Sequence, residues 1–224
     1  TIPVEWITTE HIDTRGLKLK LHLDSTLTII HRKEEVQEYY ERALNEDCFV
    51  ITSQEVSKYD DEEGRQYHKL RKTFKDFLGK RYIRDVLIDI DRGDNSDDYT
   101  LNKTKGVLYE LEELYVQRRS YNVYFSGTGY HIIISGEVFN FPQGSTDLPF
   151  IVKETMNNLF SDIDLAVYNR TSIYRCPNTL NQKSNLYKIP LTHNQINEST
   201  ANTKVDLEEP KRVSRLVKKI NLKH

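Results

Sequence analysis

The sequence predicts an α+β fold in which antiparallel strand pairing dominates. Two observations carry this. Short strand-like stretches recur in pairs separated only by turn residues, as at 17–23 with 27–30 and at 122–125 with 131–134. Segments of helical periodicity fall between these pairs instead of after every strand. Strands are therefore too often adjacent for a purely doubly wound parallel sheet.

Taken in order, residues 17–23 (Leu-Lys-Leu-Lys-Leu-His-Leu) alternate strictly and predict a half-buried strand, followed by a turn at 24–26 and a partner strand at 27–30. Residues 33–44 have helical composition, with Val36, Tyr39, Tyr40 and Ala43 on one face, and 48–52 predict a short buried strand. Residues 69–78 predict an amphipathic basic helix, Leu70, Phe74, Phe77 and Leu78 on one side and Lys69, Arg71, Lys72 and Lys75 elsewhere. An apolar strand at 86–90 leads to a turn at 92–95, and 101–119 predict a helix with Leu101, Leu108, Leu111 and Leu114 on one face. After the 122–125 and 131–134 strands comes a helix at 148–160, entered through Pro149, which suits a first helical turn. Short strands are expected at 165–168, 172–175 and 186–189. Residues 192–210, rich in Asn, Thr, Ser and Glu, read as a linker. In the basic tail 211–224, Val213, Leu216, Val217 and Ile220 recur at helical spacing, as in a short docking helix or the start of a further domain.

Composition narrows the function classes. The 224 residues, 37% hydrophobic and 29% charged, can bury a core as one large domain or two small ones. No apolar run approaches the ~20 residues of a membrane crossing, so no membrane association is expected. The opening Thr1-Ile2-Pro3 predicts no secretory signal, and the missing initiator Met suggests trimming or a fragment. Two cysteines, Cys48 and Cys176, give neither a disulfide framework nor a CxxC zinc pair, which points to a reducing intracellular setting, the cytoplasm. A net charge of -2 conceals unevenness: acids crowd 60–63 and 89–98, bases 69–84 and 211–223. Local fields of this kind can attract a polyanion that the total charge would not.

Three segments could carry chemistry. In Val86-Leu87-Ile88-Asp89-Ile90-Asp91, strand alternation projects Asp89 and Asp91 from one face. Paired carboxylates repel, and a hard cation such as Mg²⁺ or Mn²⁺ is the usual means of keeping both ionised, although a solvated turn would show the same pair. An EF-hand loop is excluded, because its sixth and twelfth positions counted from Asp89 hold Asp94 and Thr100. In Ser126-Gly127-Thr128-Gly129-Tyr130-His131, small residues permit backbone amides to approach an anion while Ser126 and His131 offer donors; a plain glycine-rich hairpin turn is the structural alternative. The loop is neither a Walker loop nor a dinucleotide fingerprint. The third segment, Asp164-Leu165-Ala166-Val167-Tyr168 with Arg175, Lys183 and Lys188 beyond it, offers a third acid followed by cations, which a surface ion pair would also explain.

The succession of these three segments resembles the archaeo-eukaryotic primase superfamily, and more closely its primase-polymerase branch of phages, plasmids and eukaryotic organelles, over residues 86–191. The resemblance implies a primase-like core in which an N-terminal α/β module and a module resembling an RNA-recognition fold interleave over 1–191, with the site between them. It implies that Asp89, Asp91 and Asp164 bind two Mg²⁺ or Mn²⁺ ions, and that Ser126, Gly127, Gly129 and His131 contact the phosphates of an incoming nucleotide. Arg175 and Lys183, and more weakly Lys188, fall where the family places triphosphate-binding cations. The implied activity is template-directed nucleotidyl transfer on single-stranded DNA, from a primer strand or de novo, using ribo- or deoxynucleoside triphosphates, with His131 first as phosphate donor and second as general acid. Some family members carry a zinc element; this chain lacks its Cys/His set, so no structural zinc is expected. A helicase domain or replication protein is the expected partner, and the basic 69–80 helix and the tail from Lys211 would grip the template backbone. Two other classes stay open: a metal-dependent nuclease, for which three carboxylates would equally serve, and a non-catalytic replication-origin or single-strand-binding module using some of the fourteen tyrosines for stacking.

Overall fold

The computed structural model describes residues 17–21, 28–30, 48–51, 62–71, 76–83, 85–169, 173–175 and 180–198. Within them the protein is a mixture of helices and antiparallel sheets, as the strand spacing predicts. Strands β1 (Leu17–Leu21), β2 (Thr28–Ile30), β3 (Cys48–Ile51) and β7 (Ile173–Arg175) form one four-stranded sheet in the order β2-β1-β3-β7. Strands β4 (Asp85–Ile90), β5 (Tyr121–Phe125), β6 (Tyr130–Ser135) and β10 (Ile189–Leu191) form a second, ordered β10-β5-β6-β4. A two-stranded hairpin, β8 (Leu180–Asn181) and β9 (Leu186–Tyr187), lies between them in sequence. No helix among the described residues is long and apolar enough to cross a membrane.

The second sheet is the centre of the molecule because alternation gives it two distinct faces. Val86, Ile88 and Ile90 of β4, Ile132 and Ile134 of β6, and Tyr121 and Val123 of β5 are buried in one apolar cluster. Helix α2 (Asp97–Glu113) contributes Leu101, Val107, Leu108 and Leu111 to it, and helix α3 (Leu148–Leu159) contributes Leu148, Val152 and Met156. At ~25 cal/mol per Å² such burial is the main force holding the helices to the sheet. The opposite face carries Leu87, Asp89, His131 and Ile133, none of which belongs to that cluster.

Three helical expectations and one strand expectation changed. Helix α2 begins at Asp97, not near 101, because Ser96 caps it by accepting the Tyr99 N–H at 3.1 Å, and Asp97 and Asp98 suit the positive end of the helix dipole. It stops at Glu113 well short of 119; Tyr115 has positive φ, and a 3₁₀ turn follows at Arg118–Ser120. Helix α1 spans Glu62–Arg71 with Glu62 and Glu63 in its first turn and coincides with the expected basic helix at 69–71; residues 72–75 lie outside the described residues, and Asp76, at φ 62°, is not helical. Leu70 and Leu78, expected on its buried side, are largely exposed, whereas Phe77 is buried in the turn beyond. The strand expected at 165–168 is a 3₁₀ turn, Leu165–Val167.

Toward the C-terminus, the strand expected at 186–189 divides into β9 and β10, and helix α4 (His193–Glu198) occupies the start of the linker-like stretch. Ile196 of α4 is buried in the main core, and the His193 ring meets Tyr121 edge-on at 5.3 Å. The helix expected at 33–44, Cys176, and the tail 211–224 lie outside the described residues.

Candidate functional site

Register alone assembles the first part of the site. Asp89 of β4 stands opposite His131 of β6, and His131 stands opposite Tyr124 of β5. Cross-strand partners share a face, so these three side chains project together, away from the apolar core. Asp91 follows just past the end of β4, in phase with Asp89.

Behind this row lies a buried cation. Lys188 is fully buried, and its Nζ sits 2.9 Å from His131 Nδ1 and donates to the Arg175 carbonyl at 2.8 Å. The rings of Tyr124 and Tyr174 flank it, with centroids 4.7 and 4.6 Å from Nζ, distances at which aromatic faces attract a cation. Tyr174 and Arg175 belong to β7, so Lys188 and His131 lie where the two sheets meet. Lys188 therefore does not reach outward to a triphosphate as the resemblance implies; its charge is spent inside.

Asp89 is the electrostatic focus. Burial, then the neighbouring Asp91 and Asp164 carboxylates, push its pKa up to about 6, against a smaller opposing pull from Lys188. His131 is held well below its ordinary value, chiefly by burial and then by Lys188 and Arg175. Its Nε2 lies 3.5 Å from Asp89 Oδ1, but a neutral imidazole makes this a charge-dipole contact and not an ion pair.

The glycine turn is built differently from an open cradle. The Gly129 N–H is donated to Ser126 Oγ at 3.0 Å, the Ser126 N–H to the Gly129 carbonyl at 2.8 Å, and Ser126 is buried. A Cβ on Gly129 would overlap the Ile90 carbonyl oxygen and press on Asp91 Cα at 3.0 Å, so glycine is required for β6 to start alongside the end of β4. Gly127, at φ +99°, leaves space that Asn181 and Ser184 of the β8–β9 hairpin fill. Asn181 Nδ2 donates to the Ser126 carbonyl at 3.3 Å, while its Oδ1 accepts the Lys183 N–H at 3.0 Å. Ser126, Gly127 and Gly129 thus hold the turn and its neighbours together, and exposed Lys183 rides on the hairpin docked against them. The turn's outward-facing group is Thr128, whose Oγ1 donates to Asp91 Oδ1 at 3.1 Å.

Asp164 arrives from a turn, not a strand. It caps the 3₁₀ helix, its Oδ1 accepting the Ala166 N–H at 2.8 Å. Four residues after Asp164, buried Tyr168 donates its hydroxyl to the Leu87 carbonyl of β4 at 2.8 Å and pins the turn to the site strand. Burial and the Asp164 and Asp89 charges raise its pKa far above the ordinary phenol value, so it remains a donor.

Of the residues expected from sequence, Asp89, Asp91, Asp164, His131 and Lys188 interact directly or electrostatically, and Arg175 is close enough to act on His131. Among the described residues no three His, Cys, Asp or Glu side chains stand close enough to hold one metal ion as placed. Asp91 and Asp164 are each engaged by a local donor. The donor set consists of carboxylate oxygens at mutual repulsion, chemistry that suits a hard divalent ion and not zinc. Sequence reading passed over Thr128, Tyr124, Tyr168, Tyr174 and Asn181. None was given a role, although Thr128 lies inside the glycine turn and Tyr168 inside the third chemistry-bearing segment. No protein-family model matches the chain, and no curated protein shows significant sequence similarity to it.

Proposed function

We propose that this chain is a DNA primase-polymerase domain that joins nucleotides on a single-stranded DNA template. The observation that carries the reading is the electrostatic coupling of Asp89 to its strand neighbour Asp91 and to Asp164, an acid remote from both in the chain, beside His131. A buried carboxyl whose pKa is raised by neighbouring acids is a usual counterpart of a divalent ion, and a nearby imidazole with two further cations suits a triphosphate.

In this reading Asp89, Asp91 and Asp164 would hold Mg²⁺ or Mn²⁺, which would supply Lewis acidity for the attacking 3′-hydroxyl and the leaving pyrophosphate. To do so, Asp91 and Asp164 would give up their hydrogen bonds from Thr128 Oγ1 and the Ala166 N–H. The His131 Nε2–H donates to a phosphate oxygen, and Arg175 and Lys183 balance the remaining triphosphate charge. Basic residues around α1 and in the tail from Lys211 grip the template, a contact that weakens steeply with salt. The primer strand, a helicase domain or a replication protein complete the expected partners.

The test is an unprimed single-stranded template incubated with labelled ribo- or deoxynucleoside triphosphates and either metal, the products resolved by length. Metal-dependent extension is expected, and Asp89→Ala and Asp164→Ala should each abolish it while preserving the circular dichroism of the fold. Incorporation unchanged in both variants removes the aspartates from the chemistry. Degradation of the strand without added nucleotide would assign a nuclease instead, and tight strand binding with neither reaction a binding module.

A further inference from the structure

A lysine ammonium has three N–H donors and no acceptor, so a partner nitrogen 2.9 Å away must present a lone pair. Lys188 meets that condition at His131 Nδ1, with a second donor on the Arg175 carbonyl and tyrosine faces on two sides. The two aromatic faces and the carbonyl are the surroundings of a cation, and they identify Lys188 as the donor of the pair. The ring hydrogen of His131 is then left to Nε2, which looks toward Asp89 Oδ1 at 3.5 Å. That separation is too long for a good hydrogen bond, so this N–H is weakly engaged and points along the carboxylate-bearing face.

We propose that Lys188 is a positioning residue that fixes His131 as the Nε2–H tautomer and aims that N–H at the phosphate-binding side of the site. A histidine free to choose its tautomer would divide its population between a form that donates from Nε2 and one that does not. Lys188 removes the choice by occupying Nδ1, as second-shell donors and acceptors do for ligating histidines elsewhere. The kinetic consequence rests on the nucleotidyl-transfer reading, whereas the tautomer itself does not.

Long-range ¹⁵N–¹H correlation spectra of the intact protein read the tautomer without any variant. The expected result is a single neutral ring with hydrogen on Nε2; an Nδ1–H ring or an imidazolium in the wild type overturns the proposal. Lys188→Met, close in length but without donors, should populate the Nδ1–H form. In the incorporation assay it should raise KM for the nucleotide about tenfold with kcat changed less than about threefold, the loss of one charged hydrogen bond. Because Lys188 acts through His131, the double variant Lys188→Met/His131→Ala should match His131→Ala alone. Additive losses, or an unaltered tautomer in a folded Lys188→Met, refute the positioning role. Absence of incorporation by the wild type would reject the polymerase reading and leave the spectroscopic result standing.

Discussion

Asp89 and Asp164 act on the same patch of space from two unlike supports. Asp89 is fixed by a six-residue antiparallel ladder, β4 against β6, whose opposite face is locked into the main core. Asp164 hangs on a single 3₁₀ turn secured by its own cap and by the Tyr168 hydroxyl. The strand side gives precision through many cooperating bonds. The turn side can be altered by one or two, and its carboxylate is the easier to re-aim toward a ligand.

Three substitutions probe this asymmetry. The largest effect is expected from Gly129→Ala, since the added methyl collides with backbone at the end of β4 and no flexible side chain can yield. A loss of about 3 kcal/mol in urea unfolding is expected, together with displacement of Asp91. A loss below about 0.5 kcal/mol would mean that the ladder end is looser than its register implies.

Next comes Asp89→Asn, whose effect depends on pH. The folded protein holds this carboxyl at about 6 against an ordinary 3.8. Below pH 3.8 it is protonated in both states and makes no difference; the ionisation penalty grows between these values and is complete above about 6. Removing the charge should therefore raise unfolding stability by up to about 3 kcal/mol at pH 7 to 8 and by almost nothing at pH 3. Added Mn²⁺ should narrow the gap by stabilising the wild type. A gain independent of pH would show that packing, not charge, is responsible.

The smallest effect belongs to the turn side. Tyr168→Phe removes one buried hydrogen bond to the Leu87 carbonyl and should cost about 1 kcal/mol in thermal unfolding. Nucleotide incorporation should fall severalfold, more than so small a loss of stability explains, because Asp164 loses its tether. Equal activity in wild type and variant would show that the cap alone suffices.

Elements with period-two or core-forming patterns were legible from sequence: β1, β2 and β3, the β5–β6 hairpin, and α3 with Pro149 near its start. What escaped was decided by hydrogen bonds that composition does not express. Ser96 set the start of α2, and Asp164 and Ala166 turned an apparent strand into a cap, since a short apolar run suits either state. The strand acids and His131 were readable because alternation is a property of the chain itself. The inward aim of Lys188 was not: a lysine near a strand end usually faces water, and here the ring of His131, the Arg175 carbonyl and two tyrosines, on three separate strands, make burial tolerable.

Ile196 has a practical bearing on how this protein is dissected. Its side chain joins the apolar cluster from a short segment that sequence alone reads as the start of a linker. A shortened version ending at Leu191 would open a hydrophobic hole beside Tyr121 and invite aggregation, so a minimal expressible fragment should extend through Glu198.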